Sequence, residues 1–266
     1  MTRTKAATLL TGLVATLMAT GCAAGGSTPA TNATAPSTSA ATTSSPPATP
    51  SGAPSPTRPA TTPSPSASTP SAPPAPTFRF SVATLSPSMR ARMTGVSWHP
   101  GCPVSLDRLR LLRVSYWGFD GAERQGELVV SGSAAPALSR AFGQLFAARF
   151  PIRQMRVVDD FGGDDERSML ADNTSAFNCR QVPGSTVWSQ HAYGLAVDIN
   201  PFENPEVRGD AVDPPAAAAW ADRTRTSPGM ISHGGAVWQA FDEIGWSWGG
   251  DWRSLKDYQH FSANGL

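Results

Sequence analysis

The pattern of apolar and polar residues in the C-terminal two thirds of the chain predicts strands and helices in mixed order. Runs rich in β-branched and aromatic residues predict strands over 109–117, 126–131, 155–158, 195–199 and 258–261. Apolar residues at helical spacing, with proline or glycine at their ends, predict helices over 135–150, 164–170, 215–222 and 237–244. The turn sequence Phe119-Asp120-Gly121 makes the first two strands a hairpin. This order predicts an α+β fold with a largely antiparallel sheet covered by helices.

Proline is distributed unevenly and marks a segment outside this pattern. Between Ser27 and Thr77 lie 14 of the 25 prolines, one charged residue, Arg58, and no aromatic residue. Such a composition buries too little apolar surface to offset the entropy of ordering the backbone, about 1–2 kcal/mol per residue. We therefore expect residues 23–77 to be a disordered Pro/Ser/Thr/Ala-rich linker.

The first 22 residues resemble a bacterial signal peptide with a lipobox. Arg3 and Lys5 precede the apolar run 6–19, and small residues at 19–21 lead to Cys22. The run is shorter than the about 20 apolar residues that a membrane span requires. We predict lipidation of Cys22, which would anchor the protein to the outside of the cell membrane. The alternative is an ordinary secretory peptide that is cleaved nearby and takes Cys22 with it.

The remaining residues, 78–266, are expected to form a single catalytic domain and to act as a monomer. They hold all 20 acidic residues and 18 of the 21 lysines and arginines, so the domain is slightly acidic. The whole chain has a formal net charge of +1. This balance argues against a nucleic-acid partner, which requires a basic surface.

The cysteines are consistent with an oxidising compartment. If Cys22 is lipidated or removed, Cys102 and Cys179 remain as an even pair, which suggests one disulfide. Two free buried thiols are the alternative. A metal-binding role fits less well because neither cysteine has a CxxC or CxxH neighbour.

Two segments near the C-terminus carry the residues suited to hydrolytic chemistry. Catalytic zinc takes three protein ligands and leaves one position open, and two histidines with one aspartate meet that requirement. His191 and Asp198 flank Gly194, which allows the backbone to bend, and Asp257 lies three residues before His260. Taken singly, these residues also fit structural roles, such as a loop histidine, a strand-end aspartate and a local Asp–His hydrogen bond.

Together the two segments resemble the zinc peptidases that act on bacterial cell-wall peptides: D-alanyl-D-alanine carboxypeptidases, D-alanyl-D-alanine dipeptidases and L-alanoyl-D-glutamate endopeptidases. Their signature, SxHxxGxAxD followed by an acidic residue three positions before a histidine, is complete at 189–198 and 257–260. The stretch 172–180 resembles the approach to the site in the endopeptidase-like branch. The likeness covers roughly 135–261 and implies a Hedgehog/D-Ala-D-Ala peptidase-like fold.

The resemblance also implies a role for each matching residue. His191, Asp198 and His260 are expected to bind Zn²⁺, and Asp257 is expected to act as the general base. Arg180 is the candidate that stabilises the oxyanion, because a fixed cation beside developing negative charge lowers the barrier. The alternative is that Arg180 forms an ion pair with one of the nearby acids: Asp159, Asp160, Asp164 or Asp165.

Three further residues are predicted to contact substrate: Ser189, Tyr193 and Trp248. Ser189 is two residues from His191, but a serine mechanism competes poorly because a metal-bound histidine cannot also serve as its base. Trp248 belongs to a cluster with Trp246 and Trp252 beside Gly249-Gly250. For two of these three tryptophans, a position in the core is the favoured interpretation.

The sequence thus predicts an extracytoplasmic zinc metallopeptidase that hydrolyses peptide bonds in peptidoglycan stem peptides, as a carboxypeptidase or an endopeptidase. Its expected partners are the stem peptide and, through the N-terminal lipid, the membrane. The alternative, from another functional class, is a non-catalytic cell-wall-binding lipoprotein that keeps zinc for structure, because fold and metal alone do not prove catalysis.

Overall fold

A computed structural model describes residues 76–266, which fall within one compact unit, Thr69–Leu266. The predicted signal peptide, Cys22 and nearly all of the predicted linker lie outside the described residues. Among residues 76–266, no helix combines the length and the apolar character needed to cross a bilayer.

The largest sheet has three antiparallel strands in the order β1-β2-β3. These are β1 (Phe80–Thr84), β2 (Leu109–Trp117) and β3 (Glu123–Ser131). Helix α1 (Pro87–Met93) lies between β1 and β2 in the chain, and α2 (Ala135–Ala147) follows β3. The buried residues of α2 recur at helical spacing, and this face packs against β2.

Short strands make up the rest of the sheet structure. A parallel pair joins β4 (Gln154–Met155) to β5 (Asn173–Thr174), with helix α3 (Asp165–Leu170) between them in sequence. The remaining strands are β6 (Ala196–Asp198), β7 (Glu206–Arg208), β8 (Ala211–Asp213), β9 (Ser247–Trp248), β10 (Lys256–Asp257) and β11 (His260–Ser262). They form two antiparallel sheets, ordered β6-β11-β9 and β10-β7-β8. Helix α4 (Ala236–Asp242) precedes β9.

One aromatic cluster joins these parts into the main core. The rings of Phe142 in α2 and Phe241 in α4 meet edge to face with centroids 6.3 Å apart. Phe241 also stacks on Phe261 of β11 at 4.2 Å. All three side chains are at most 1% exposed. The strand β11 is therefore fixed from behind by packing that contributes about 1.5–3 kcal/mol per fully buried side chain.

A disulfide joins Cys102 to Cys179, which are 77 positions apart in sequence and have their Cα atoms 5.9 Å apart. It connects the loop after α1 to the segment that leads toward His191. Cys179 packs in a second, smaller core with Met93, Leu109 and Phe177. His99 lies close to both sulfur atoms, but cysteines in a disulfide have no thiolate to offer a metal.

The predicted α+β class with mainly antiparallel strands is confirmed, and several element boundaries differ from the predictions. The hairpin is tighter than expected, because β3 begins at Glu123, where the ion pair of Arg124 with Asp120 closes the turn. The strand predicted over 155–158 ends at Met155, and Val158–Phe161 is a 3-10 helix.

The side chain of Asn173 explains this early end of β4. Its carbonyl accepts from the Arg156 backbone N–H at 2.9 Å, and its amide donates to the Arg156 carbonyl at 3.0 Å. These bonds replace strand pairing at Arg156. The helix predicted over 215–222 is a 3-10 helix over Pro215–Trp220, and the last strand begins at His260 rather than at Tyr258. The sequence patterns did not indicate β1, α1 or the β7-β8 hairpin.

A buried pair of carboxylates supports the loop that follows β6. Arg153 donates to Asp172 at 3.3 Å and to Glu203 at 3.4 Å, and these two acids are 7% and 2% exposed. Arg223 donates to the Glu203 backbone carbonyl at 2.8 Å. Among residues 76–266, Glu203 Oε2 has no hydrogen-bond partner. Burial, and next the neighbouring Asp172 carboxylate, raises the pKa of Glu203 to about 7.

This raised pKa makes stability depend on pH. The folded state binds the Glu203 proton more tightly than the unfolded chain, whose ordinary pKa is 4.5, so stability should fall as pH rises from about 4.5 to about 7. The contribution is at most about 3 kcal/mol. Glu203→Gln should make the decline of stability with pH shallower, because it removes the contribution of this one carboxyl group. Denaturant unfolding of the wild type and of Glu203→Gln at several pH values between 4.5 and 8 measures this change in the free energy of unfolding. Glu243→Gln, at an exposed glutamate, is the control. Parallel pH profiles for the wild type and Glu203→Gln would contradict the raised pKa of Glu203.

Candidate metal centre

The pairing of β6 with β11 brings the two sequence motifs together. The strands are antiparallel, and Asp198 lies directly opposite His260. Side chains at directly opposite positions lie on the same face of a sheet, with Cβ atoms about 4.5–5.5 Å apart. The last residue of β6 and the first of β11 therefore present their side chains to one point, although they are 62 positions apart in sequence.

His191 reaches the same point from a 3-10 helix over Gln190–Tyr193. The Ser189 hydroxyl caps this helix by accepting from the His191 backbone N–H at 3.3 Å. Gly194 ends it in the left-handed region, at φ 67°, and its carbonyl accepts from the Ser131 N–H at 2.8 Å. The chain then enters β6, so one tight turn fixes His191 relative to Asp198.

The three side chains converge closely enough to hold one ion. His191 Nε2 is 3.0 Å from Asp198 Oδ2, His260 Nδ1 is 3.1 Å from Asp198 Oδ1, and the two ring nitrogens are 3.2 Å apart. Tetrahedral ligands about 2.0–2.1 Å from zinc lie about 3.3 Å from one another. All three side chains are buried, at 3–6% exposure. Spacing and donor types both fit a catalytic zinc with three protein ligands.

The second nitrogen of each histidine is also bonded. His191 Nδ1 lies 2.5 Å from the carbonyl oxygen of Ala176, and His260 Nε2 lies 3.2 Å from the backbone oxygen of Leu266. A carbonyl only accepts, so each of these ring nitrogens carries the hydrogen. With a metal bound, the nitrogens that face Asp198 would supply the lone pairs that hold it, the usual arrangement around metal-binding histidines.

The charges of the three groups are tightly linked. Burial alone raises the pKa of Asp198, but the attraction and hydrogen bonds of His191 and His260 outweigh it and lower that pKa overall. Burial lowers the pKa of His191, and the adjacent Asp198 carboxylate raises it above the ordinary value. Asp198 therefore favours its charged form, and a cation placed between the three groups would be stabilised by it.

Asp257 lies beside this centre, on β10. The strand pairs with β7, where Asp257 is opposite Glu206. In the part of the chain that the structure describes, its buried Oδ1 has no hydrogen-bond partner. Burial raises the pKa of Asp257 to about 8 against the attraction of His260, and the carboxylates of Asp198 and Glu206 add to the increase. An unsatisfied carboxylate oxygen at this place is available to hydrogen-bond water or substrate.

Arg180 forms an ion pair with Asp165, at 2.7 Å, so one of the predicted alternatives is present. The side chain of Arg180 remains 27% exposed, and its buried Nε lacks a hydrogen-bond partner within residues 76–266. Its charge lowers the pKa values of both His191 and Asp257, which places it within electrostatic reach of the centre. The ion pair and a role toward substrate are therefore compatible.

The three residues predicted to contact substrate occupy different environments. Ser189 is 7% exposed and caps the helix of His191, and Tyr193 is half-buried on that same helix. Trp248 is 5% exposed and donates its indole N–H to the Tyr258 carbonyl, so it packs in the core and offers little surface to a ligand. Trp252 is instead half-buried, with its ring centroid 5.4 Å from that of His260.

Sequence reasoning missed two parts of the centre, the contact of Leu266 with His260 and the position of Glu206 opposite Asp257. Neither residue belongs to a motif. Trp252 belongs to the predicted tryptophan cluster, but spacing could not distinguish it from its buried neighbours. Trp246 and Trp248 lie before and in the two-residue strand β9, and Trp252 follows the short 3-10 helix Gly249–Asp251, so no single periodicity covers all three.

Comparison with known protein families connects this geometry to a class of enzyme. Residues 183–263 match the model of a family described as D-alanyl-D-alanine carboxypeptidase, and this segment contains His191, Asp198, Asp257 and His260. The match supports the peptidase family inferred from the two motifs. Arg180 lies just outside the matched segment. Comparison with curated proteins and with solved structures found no match.

The turn at Gly194 provides a test of how the centre is built. A Cβ at this position would lie 2.5 Å from the Ser131 backbone nitrogen, and the left-handed conformation costs a further 1–2 kcal/mol, approximately, for a residue with a side chain. Gly194→Ala should therefore destabilise the protein by roughly 2–4 kcal/mol, since backbone at Ser131 must move. Urea unfolding measures the loss.

Gly184→Ala is the matched control. Gly184 also has a left-handed conformation, at φ 75°, but a Cβ there would meet no atom within 4 Å. Only the conformational cost, about 1–2 kcal/mol, applies to it. Equal losses of stability in the two variants would show that the close approach of Gly194 to Ser131 contributes nothing.

Proposed function

We propose that the protein is a zinc-dependent metallopeptidase that hydrolyses peptide bonds in the stem peptides of peptidoglycan. The observation that supports this most directly is the convergence of His191, Asp198 and His260, with Asp257 beside them, inside the segment that matches a peptidase family. The family description names D-alanyl-D-alanine carboxypeptidases, which act on this class of substrate.

The ligand set and its surroundings fit zinc rather than calcium or magnesium. Two imidazole nitrogens and one carboxylate suit Zn²⁺, whereas Ca²⁺ and Mg²⁺ prefer oxygen ligands. Bound zinc supplies Lewis-acid chemistry, in which it polarises a peptide carbonyl and makes water more acidic. The ring nitrogens that face away from the centre are bonded to carbonyls, so His191 and His260 are held in the tautomers that this role requires.

Asp257 is the proposed general base. Its unpartnered Oδ1 lies where it can accept a proton from the attacking water, and it can return that proton to the amine that leaves. A carboxylate bonded to other side chains would be less available. Arg180 is the proposed electrostatic partner of the oxyanion, held in place by Asp165.

A serine nucleophile is disfavoured by the position of Ser189. Its hydroxyl accepts from the backbone N–H of His191, and the hydroxyl is not bonded to the imidazole. Both nitrogens of that ring are engaged, one by Ala176 and the other by Asp198 and His260. His191 is therefore not positioned to act as a general base for Ser189.

The N-terminal part of the proposal rests on sequence. A lipid on Cys22 would fix the protein to the outer face of the cell membrane, and a linker of about 50 residues would reach roughly 40 Å as a flexible coil. Such an arm would let the catalytic domain act on a cell wall at some distance from the bilayer. The cysteine pairing described above suits this oxidising location.

Hydrolysis of purified muropeptides tests the activity. The zinc-loaded protein should release a peptide fragment, and a chelator should abolish the release. Asp257→Asn should lower kcat by about 10²–10⁴-fold while the protein still binds zinc, because it removes the base and none of the three ligands. Asp242→Asn, at an exposed aspartate of α4, is the matched control and should retain activity.

The released fragment identifies the reaction. Free D-alanine in the mass spectrum would indicate a carboxypeptidase, and a larger peptide would indicate an endopeptidase. Unchanged products from Asp257→Asn would refute the proposed base. Tight binding to cell walls with no fragment released under any condition would instead support the non-catalytic, zinc-stabilised alternative.

A further inference from the structure

The chain after β11 returns to the metal centre. Residues 263–266, here called the return segment, begin where the Ala263 N–H donates to the Leu195 carbonyl at 3.0 Å. Three residues later, the backbone oxygen of Leu266 lies 3.2 Å from His260 Nε2. The return segment thus provides the hydrogen-bond acceptor for a histidine only six positions earlier in the chain.

Hydrogen bonds hold the return segment in place, and its last side chain is not buried. The indole N–H of Trp252 donates to the Gly265 carbonyl at 2.9 Å, and the Leu266 N–H donates to the Asn264 side chain at 3.2 Å. The side chain of Leu266 is 73% exposed, so apolar packing does not explain its position. The side chain of Trp252 connects the return segment to His260: its indole N–H donates to Gly265, and its ring lies against the His260 ring.

The two histidines of the centre are supported unequally. The acceptor for His191 is Ala176, which is 4% exposed and belongs to the main core. The acceptor for His260 is a residue with no such burial, in a segment secured by a few hydrogen bonds. Segments of this kind open locally at lower free energy than core strands. The orientation of His260 therefore depends on the more easily disturbed support.

We propose that the return segment and Trp252 form a positioning element for His260, which holds the ring in the tautomer that presents Nδ1 to the metal. With the Leu266 oxygen in place, the hydrogen lies on Nε2 and the lone pair lies on Nδ1. Without it, the ring loses its fixed tautomer and its orientation. Loss of such an outer partner typically weakens metal binding about 10–100-fold. The inference rests on the proposed zinc site and concerns metal affinity, independent of turnover.

Zinc affinity is the first measurement. The dissociation constant would be determined by competition with a chromophoric chelator, for the wild-type protein, for a variant lacking residues 264–266, and for Trp252→Phe. We expect about 10–100-fold weaker binding in the deletion variant and a smaller loss in the same direction for Trp252→Phe, which keeps the ring but removes the N–H to Gly265.

Trp238→Phe is the matched control. It also removes an indole N–H that donates to an oxygen, in this case Asp251 Oδ2 at 3.0 Å, but this bond does not involve the return segment. Its zinc affinity should stay within about twofold of the wild type, well below the effect of losing an outer partner. Thermal unfolding of each metal-free variant identifies any that loses affinity only because it is unfolded.

The hydrogen on Nε2 is the second measurement. Nitrogen-15 NMR of the zinc-loaded protein should show an Nε2–H of His260 that exchanges slowly with solvent in the wild type, because the Leu266 oxygen accepts it, and one that exchanges faster in the deletion variant. A folded deletion variant with unchanged zinc affinity, or a His260 spectrum identical to that of the wild type, would overturn the proposal, and so would an equal loss of affinity in Trp238→Phe.

The outcomes separate this inference from the proposed function. Zinc binding by the wild type without peptide hydrolysis would refute the peptidase activity and leave the positioning element testable by affinity. Normal hydrolysis with no change on deletion would refute the positioning element alone. Absence of zinc binding by the wild type would refute both.

Discussion

The centre requires three polar side chains to be buried together, with their nitrogen and oxygen atoms at hydrogen-bond distance from one another. Two imidazoles and a carboxylate with donor atoms 3.0–3.2 Å apart lose most of their hydration, and such groups are costly to bury unless each is paired. In this protein the carboxylate and both imidazoles all have hydrogen-bond partners. The carboxylate of Asp198 lies between the histidines, and each histidine is bonded on its far side to a carbonyl.

This requirement explains the arrangement of the surrounding chain. The pairing of β6 with β11 sets the distance between Asp198 and His260, and a slip of one residue would turn one side chain to the opposite face. The stack of Phe142, Phe241 and Phe261 holds β11 from behind. Two of the buried polar atoms that have no hydrogen-bond partner among residues 76–266, Asp257 Oδ1 and Arg180 Nε, belong to side chains that a substrate or water would be expected to meet.

The main helix, the long hairpin and the metal-ligand set could be predicted from the sequence. The helix at 135–147 and the long hairpin were predictable because their apolar spacing is regular, and the donor set was predictable because its residues stand in two short motifs of fixed spacing. Strand β1 was missed because its five residues are too few for a clear sequence pattern, and because each of them is exposed, so no buried face sets the strand apart.

The remaining features depend on contacts that spacing does not encode. The end of β4 is set by the Asn173 side chain, which bonds the backbone of a residue 17 positions earlier. Trp248 is buried and Trp252 is half-buried because the chain turns through a short 3-10 helix, Gly249–Asp251, on its way from β9 to β10. The contact of Leu266 with His260 is a backbone interaction and would leave the same trace in the sequence whatever the residue.

The long connection between β6 and β11 affects which insertions in the sequence such a protein can tolerate. Asp198 and His260 are 62 positions apart, and the chain between them contributes Trp252 and Asp257 to the surroundings of the centre shortly before His260. Doubling the length of a flexible loop adds only about 0.6 kcal/mol of closure entropy. Insertions near the exposed turn at Gly209 could therefore reshape the surroundings of the site while the chemistry at its base stays unchanged, so substrate preference and catalysis can evolve separately on this scaffold.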